Sequence, residues 1–365
     1  MAKIDTFLKK AFKIKSSDLH IAAGNPPMYR RYGRLKKFKF EELTPKASRA
    51  LIYEILSPEQ RERFEKNYEL DFCYAIEDVA RFRGNVLYQR SGMDASFRIV
   101  PLDIPTIEEL GLPPVVKEVL DHHQGLILVT GAAGHGKSTT LAAMIDQINK
   151  DRAHHVLTVE DPIEFVHPIK KGVVNQREIG RHTLSNANAL KGALREDPDV
   201  IMIGELRDTE TTSLAMTAAE TGHLVLGTMS TPSAHKTVDR IIDSYPAGEQ
   251  NQVRTMLADS LKAVITQRLI RNVEKNGMTL ATEILIGTVP MSNLIRDYKT
   301  FQIPSMIQTG KAAQMRLMDD SIVELLEAGK ISLKMAMKNI ERKKNLNKFI
   351  STKKTGTENQ KLSQK

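Results

Sequence analysis

The stretch Gly131–Ser138 limits the possible folds of this chain more than any other part of its 365 residues. It reads Gly-Ala-Ala-Gly-His-Gly-Lys-Ser, which matches the pattern G-x-x-x-x-G-K-[ST]. The apolar run Leu126–Thr130 precedes it and the helical pattern Ser138–Asn149 follows it. Glycines allow a tight turn whose N–H groups point at one anion, and the start of a helix adds partial positive charge. The sequence therefore predicts a strand, a phosphate-binding loop and a helix, in that order.

Two side chains of this loop have predicted roles towards a bound nucleotide, which we expect to be ATP with Mg²⁺. Lys137 would reach the β- and γ-phosphates, and the hydroxyl of Ser138 would ligate the metal ion. A glycine-rich turn without a ligand is the alternative, but the strand, loop, lysine, hydroxyl and helix all stand in the required order. The predicted nucleotide-binding residues are Gly131, Ala132, Ala133, Gly134, His135, Gly136, Lys137, Ser138 and Thr139.

Hydrolysis also needs a carboxylate that holds a metal ion or activates water. Glu205 follows the apolar run Val200–Gly204, and it would emerge at the carboxyl end of a parallel strand, where ligands bind. A second apolar run, Val156–Glu160, ends in an acid, and Glu164 follows shortly after it. Pro162 would end the strand and redirect the chain, so that Glu164 could face the same cleft. A solvated acid at a strand end is the alternative for each glutamate. We predict catalytic roles for Glu205, Glu164 and Lys137, and metal-binding roles for Ser138, Glu160, Glu164 and Glu205.

His223 precedes a further apolar run, Leu224–Met229, and follows a glycine that would end the preceding helix. An imidazole at this position could sense the γ-phosphate, so His223 is included among the predicted catalytic residues. A histidine with a purely structural hydrogen bond is the alternative that the sequence leaves open.

Short apolar runs alternate with helical patterns in the middle of the chain, which is typical of a buried, mostly parallel sheet. Residues after Asn251 have a largely helical pattern. The first hundred residues combine a basic amphipathic helix, a helical stretch at Lys46–Asn67 and three strands, which predicts a small α+β domain. We therefore predict an α/β protein with a domain at 1–100, a linker at 101–120, a P-loop domain with C-terminal helices at 121–340, and a basic disordered tail at 341–365.

Composition and charge restrict the cellular compartment and the partners that we expect for this protein. The single cysteine, Cys73, excludes an intrachain disulfide, so the fold depends on its apolar core, as in cytoplasmic proteins. No apolar run reaches the ~18 residues of a membrane span, and the N-terminus lacks a secretory signal. The net charge is +9 in residues 1–40 and +7 in residues 338–365, which leaves −7 for the rest. This distribution argues against nucleic acid as a partner of the whole chain and favours contact of the ends with an acidic surface.

Longer motifs make the chain similar to a known family. They are Ser17–His20 (SDLH), Arg81–Asn85 (RFRGN), His154–His167 (HHVLTVEDPIEFVH), Asn175–Glu178 (NQRE), Ala193–Val200 (ALREDPDV) and Ala218–Leu224 (AAETGHL). With these motifs, most of the chain resembles the PilT family, the retraction ATPases of bacterial type IV pili, within the secretion ATPase superfamily. Several motifs are long and family-specific, so chance is a poor explanation of the match.

The resemblance implies a PAS-like N-terminal domain, a RecA-like ATPase domain and a hexameric ring that turns an inner-membrane platform protein. It also implies that Glu160 and Glu164 are the family's acidic-box residues, that Glu205 is the general base and that His223 is the first histidine of a histidine box. The arginines that could approach the phosphates are Arg81, Arg83 and Arg98. A fixed guanidinium there would stabilise charge in the transition state.

Two positions depart from the family pattern. Ser230 stands where the family has the second histidine of its histidine box, and a hydroxyl cannot supply an imidazole contact. Ser292 stands where a C-terminal motif of the family has its first arginine. The first departure bears on catalytic rate, and the second bears on the coupling of hydrolysis to retraction.

The leading expectation is a cytoplasmic homo-hexamer, peripheral at the inner face of the inner membrane, that hydrolyses ATP to retract a type IV pilus through its platform protein. An accessory or paralogous pilus or secretion ATPase is an open alternative. A weakly hydrolysing, nucleotide-gated assembly regulator is another. A nucleic-acid motor is disfavoured by the family motifs, and no nucleic-acid partner is expected.

Overall fold

The computed structural model describes residues 2–100, 102–274 and 277–349. The chain forms two compact units. The N-terminal unit comprises Met1–Ile104, Glu160–Pro168 and Gln176–His182, and the C-terminal unit comprises Pro105–Val159, Ile169–Asn175 and Thr183–Lys365. None of the helices in the described ranges combines the length and hydropathy that a membrane span requires.

The N-terminal unit is built on a six-stranded antiparallel sheet in the order β3-β2-β1-β6-β5-β4. Three helices accompany it. The strands are β1 (Asp18–Ile21), β2 (Met28–Arg31), β3 (Arg34–Lys37), β4 (Glu69–Ile76), β5 (Ala80–Gln89) and β6 (Gly92–Val100), and the helices are α1 (Lys3–Lys13), α2 (Pro45–Tyr53) and α3 (Pro58–Asn67).

Helix α1 packs its apolar face into the core of its own unit. Ile4, Leu8 and Ala11 are completely buried, and Asp5 accepts a hydrogen bond from the Tyr74 hydroxyl at 2.8 Å. Helix α3 begins with a capping box at Ser57, as its sequence predicts. The three predicted strands are present. Strands β1 to β3 were not predicted because each has only four residues, and β2 and β3 together are mostly basic.

The C-terminal unit contains most of a seven-stranded sheet in the order β13-β12-β7-β11-β10-β8-β9, in which Glu160 and residues 176–178 are assigned to the N-terminal unit. Its strands are β7 (Gly125–Thr130), β8 (His155–Glu160), β9 (Val173–Glu178), β10 (Val200–Ile203), β11 (Leu224–Met229), β12 (Leu261–Arg271) and β13 (Met278–Ile286). Its helices are α4 (Val115–Glu118), α5 (Lys137–Asp151), α6 (Asn186–Ala193), α7 (Thr209–Glu220), α8 (Ala234–Asp243), α9 (Gln250–Ser260), α10 (Val289–Arg296), α11 (Ile303–Thr309), α12 (Met318–Glu327) and α13 (Leu333–Asn339).

Strands β12, β7, β11, β10 and β8 run parallel to one another, and β13 is antiparallel to β12. Every residue of β7, β10 and β11 is buried. Such continuous burial explains why these strands are uninterrupted apolar runs in the sequence. The predicted mostly parallel sheet is confirmed, and the carboxyl ends of its parallel strands lie together at one end of the sheet.

The expectation of a largely helical region after Asn251 is wrong for two long strands, β12 and β13. Strand β12 pairs with β7 in the middle of the sheet and has a continuous buried stretch at 263–267. The β-branched residues Val264, Ile265 and Thr266 favour an extended backbone, and this preference outweighs the helical pattern of the neighbouring segments.

The C-terminal unit includes parts of the two segments that were predicted to be a linker and a disordered tail. Val116 and Leu120, in the predicted linker, are buried in the unit's main apolar core. Leu346 is completely buried in a second cluster with Ile270 and Ile322, and the backbone N–H groups of residues 341 and 342 donate to the Asp319 carboxylate at 2.9 Å. Residues 350–365 of the predicted tail lie outside the described residues.

Candidate active site

The predicted phosphate-binding loop joins β7 to α5. Strand β7 ends at Thr130 and α5 begins at Lys137. Gly134 and Gly136 have φ angles of +78° and +85°, the left-handed region in which glycine is favoured. Gly131 has φ of +139°, and a Cβ there would lie 2.5 Å from the carbonyl oxygen of Gln267. The loop conformation therefore requires glycine at these positions, and the helix start behind it favours an anion.

Lys137 is folded over its own loop. Its Nζ donates to the carbonyl oxygens of Gly131 and Ala132 at 2.8 and 3.3 Å, and to the hydroxyl of Ser230 at 3.5 Å. Partial burial lowers the pKa of Lys137, and the negative charge of Glu205 offsets part of this effect. The ammonium is thus held over the loop, and a bound phosphate would compete with the two carbonyls for it.

Glu205 lies at the same edge of the sheet, two residues after the end of β10. Its Oε1 accepts a hydrogen bond from the Ser230 hydroxyl at 2.9 Å, and its Oε2 is paired with Arg207 at 2.7 Å. Burial alone would raise the pKa of Glu205, but hydrogen bonds from Arg207 and Ser230 and the positive charges of Arg207 and Lys137 lower it below its ordinary value. The carboxylate is therefore ionised at neutral pH, as a group that holds a metal ion or orients water must be.

Strand β12 supports the loop from the neighbouring position in the sheet. The hydroxyls of Thr130 and Thr266 are 2.8 Å apart, and the Gln267 amide donates to the Thr140 hydroxyl at 2.7 Å. His135 Nδ1 lies 3.3 Å from the carbonyl oxygen of Gln267. Sequence reasoning missed Thr266 and Gln267 because it assigned this region to helices. The β-branched run Val264–Thr266 was the signal that would have placed a strand there.

His223 lies at the amino ends of the parallel strands, opposite to the end at which the loop lies. It precedes Leu224, which pairs with Gly125 at the start of β7, whereas the loop follows the end of β7. Its Nδ1 lies 3.0 Å from the carbonyl oxygen of Ala218, which matches the structural alternative. The C-terminal unit does not bring His223 to the phosphate-binding loop, and the predicted catalytic role of this residue finds no support in the unit's geometry.

The other predicted site residues belong to the N-terminal unit. Arg83 donates to Glu164 at 3.2 Å, and Arg81 donates to the carbonyl oxygen of Ile163 at 3.5 Å. The amide of Gln176 donates to Glu160 at 3.0 Å. Arg98 is paired with Asp18 at 3.2 Å, beside β1. Arg81 and Arg83 thus contact the segment that contains the two predicted acidic residues, whereas Arg98 does not.

A magnesium ion fits the side chains at the loop. Ser138 is the second residue of α5, and Glu205 is an ionised carboxylate at the same edge of the sheet. The described residues contain no group of three or more His, Cys, Asp or Glu side chains suited to hold a metal ion. Mg²⁺ needs no such group when substrate phosphates and water complete its coordination, and one hydroxyl with one carboxylate is a sufficient protein contribution.

Comparisons with known proteins agree with this geometry. The family model described as "Type II/IV secretion system protein" matches residues 2–362. The type IV pilus retractation ATPase PilT of Pseudomonas aeruginosa is 51% identical over 324 residues, which cover 88% of this chain and 94% of that protein. The chain belongs to the PilT family. It is therefore a P-loop ATPase with a RecA-like ATPase fold, and the α/β class and the family predicted from sequence are confirmed.

Two further relatives place the chain within the PilT family. A crystal structure titled as the pilus retraction motor PilT with bound ADP has a TM-score of 0.85 and 44% identity, and the match covers 95% of this chain and all of that one. The type IV pilus ATPase PilU of Pseudomonas aeruginosa is 36% identical, over 88% of this chain and 84% of its own length. The identity to PilT is thus clearly higher than the identity to PilU.

The two departures from the family pattern have different surroundings. Ser230 contacts both Lys137 and Glu205. Ser292, on α10, donates to the carbonyl oxygen of Ala258 at 2.6 Å, and its neighbour Arg296 is paired with Asp259. The first serine therefore lies in the candidate active site, whereas the second joins α10 to α9.

Proposed function

We propose that this chain is the ATP-hydrolysing motor that retracts a type IV pilus. The observation that carries the proposal is the 51% identity, over 94% of its length, to the retractation ATPase of Pseudomonas aeruginosa. The contacts of Ser230 with Lys137 and Glu205 support the proposal, because they bring a lysine of the predicted phosphate-binding loop close to a carboxylate.

In the proposed reaction, the loop N–H groups and Lys137 bind the phosphates of ATP. Glu205, which its partners keep ionised, orients the attacking water and accepts its proton. Mg²⁺, held by the Ser138 hydroxyl and the phosphates, would neutralise charge on the phosphates. The remaining predicted roles are kept as proposals: metal binding for Glu160 and Glu164, catalysis for Glu164 and His223, and phosphate contacts for Arg81, Arg83 and Arg98.

We further propose that the working form is a homo-hexamer at the cytoplasmic face of the inner membrane, where it acts on the pilus platform protein. This part rests on family membership and on the basic ends of the sequence, +9 in residues 1–40 and +7 in residues 338–365. Opposite charge on the membrane or platform would attract these ends.

Deletion of the gene tests the motor role. Loss of retraction, with surface pili that accumulate and cannot be withdrawn, is the expected result, and a Lys137→Ala copy should fail to restore withdrawal. Loss of surface pili would instead indicate an extension motor and contradict the proposal.

An accessory ATPase of the PilU kind is a second candidate, because the chain is also 36% identical to PilU and lacks the histidine at position 230. The same deletion distinguishes the two. A strain that still withdraws its pili, with reduced force or frequency, would indicate the accessory role.

A further inference from the structure

Ser230 stands between the two charged groups of the ATPase site. It follows β11, whose last residue, Met229, pairs with Thr130, the last residue of β7. Ser230 is therefore next to the start of the phosphate-binding loop, at the carboxyl edge of the sheet. Neither the glycine-rich motif nor the acid after β10 identifies this position.

The hydroxyl of Ser230 makes two contacts of opposite kind. It donates to Glu205 Oε1 at 2.9 Å and accepts from Lys137 Nζ at 3.5 Å. A hydroxyl has one hydrogen and two lone pairs, so both contacts form together. The carboxylate fixes the direction of the hydrogen, and the ammonium faces a lone pair.

The second oxygen of Glu205 is engaged by Arg207, at 2.7 Å. Ser230 is thus the partner that restrains the remaining oxygen, Oε1. Among the described residues, no hydrogen bond joins Lys137 to Glu205 directly, and the link between the two passes through the Ser230 hydroxyl.

We propose that Ser230 is a positioning residue of this ATPase, whose hydroxyl sets the spacing and direction of Glu205 relative to Lys137. The inference rests on the ATP-hydrolysing part of the proposed function and does not depend on pilus retraction. A small error in the direction of a catalytic carboxylate slows a reaction strongly. Nucleotide binding should be unaffected, because the loop and Lys137 provide it.

Three variants test the proposal in steady-state ATPase assays on the full chain. Ser230→Ala removes both contacts and should lower kcat about tenfold, which corresponds to about 1.4 kcal/mol, with KM for ATP changed by less than about twofold. Ser230→Thr keeps the hydroxyl and should restore kcat to within about twofold of the unmodified chain. Ser230 is exposed and lines a cavity of about 180 Å³, so we expect the added methyl to be accommodated. Ser305→Ala, an exposed serine on α11, is the matched control.

Calorimetric binding of ADP in EDTA supplies a readout that does not depend on turnover. We expect Ser230→Ala to bind ADP with unchanged affinity, since the loop and Lys137 remain. An unchanged kcat in Ser230→Ala would overturn this inference but would leave the proposed function intact. So would a loss of ADP affinity or of thermal stability that matches the loss of kcat, because either indicates a binding or structural role. An unmodified chain without turnover would instead contradict ATP hydrolysis itself, and the inference with it.

Discussion

Among single residues, Lys137 is the side chain on which we expect turnover to depend most directly. Its ammonium already lies over the loop, 2.8 Å from the carbonyl oxygen of Gly131. We expect Lys137→Ala to reduce turnover at least ~100-fold, the usual cost of removing a group aimed at transition-state charge. Phosphate release at saturating Mg·ATP measures the effect. Lys150→Ala, an exposed lysine on the same helix, should keep its activity, and normal turnover in Lys137→Ala would refute the assignment.

The sequence predicted that the loop of Lys137 and the acid Glu205 each follow an apolar strand of one parallel sheet, at the strand ends where ligands bind. It could not predict the contacts of Ser230 and Arg207 with Glu205, since these depend on the exact course of two short loops. The role of His223 stays a prediction. The residue belongs to a family motif, yet its side chain is at the amino edge of the sheet, bonded to the carbonyl oxygen of Ala218.

At the scale of elements, the close approach of the loop to β12 makes Gly131 more sensitive than the other loop glycines. A Cβ at Gly131 would lie 2.5 Å from the carbonyl oxygen of Gln267, whereas a Cβ at Gly134 would meet nothing within 4 Å. Both glycines have positive φ, +139° at Gly131 and +78° at Gly134, so each alanine variant incurs backbone strain of about 1–3 kcal/mol. We expect Gly131→Ala alone to displace the loop from β12.

Nucleotide affinity and thermal unfolding of the two glycine variants measure this difference. Gly131→Ala should lose at least ~10-fold in ADP affinity relative to Gly134→Ala and unfold at a lower temperature, because its strain adds a collision with backbone. Equal affinities in the two variants would show that β12 does not hold the loop.

A part-buried hydrogen bond, from the Tyr74 hydroxyl to Asp5 at 2.8 Å, links β4 to helix α1. Burial and this bond to a carboxylate raise the pKa of Tyr74 to about 12. We expect Tyr74→Phe to cost about 1 kcal/mol in the free energy of unfolding, since Asp5 loses its partner while it remains buried. Urea titration of the full chain near pH 8 measures the cost, and Tyr68→Phe, at an exposed tyrosine, is the control.

The same bond predicts a dependence on alkaline pH. Because the folded-state pKa of Tyr74 lies above the ordinary value of 10.0, its contribution to stability is complete below about pH 10 and is lost as the pH rises towards about 12. The stability difference between the unmodified chain and Tyr74→Phe should therefore shrink over that interval. A difference that stays constant through it would show that Tyr74 does not ionise there.

Elements with a clear local signal in the sequence were predicted best. Strands β7, β10 and β11 are uninterrupted apolar runs, and α3 starts at a capping box that is legible in the sequence. The hairpin of β2 and β3 was missed because every residue of β3 is exposed and three of its four are basic. Its strand character comes from pairing with β2, which local composition does not record.

At the scale of the whole molecule, the basic C-terminus divides into a packed part and a part outside the described residues. Residues 341–349 belong to the packed part. Leu346 is completely buried with Ile270 and Ile322, and Asp319 accepts two backbone N–H groups from residues 341 and 342. Charge alone suggested one continuous basic tail, but the apolar side chains of this stretch complete a core cluster.

Two truncations separate these parts. A chain that ends at Ile340 should unfold at a lower temperature than the full chain, because it exposes the apolar cluster and removes two hydrogen bonds from a buried carboxylate. A chain that ends at Phe349 should keep its stability and its ATPase activity, while it loses four lysines and one glutamate. Flotation with anionic vesicles should then recover less of this shorter chain than of the full chain, since each basic residue near such a surface contributes about 1 kcal/mol. Equal recovery of the two chains would remove the C-terminal residues from any proposed contact with the membrane.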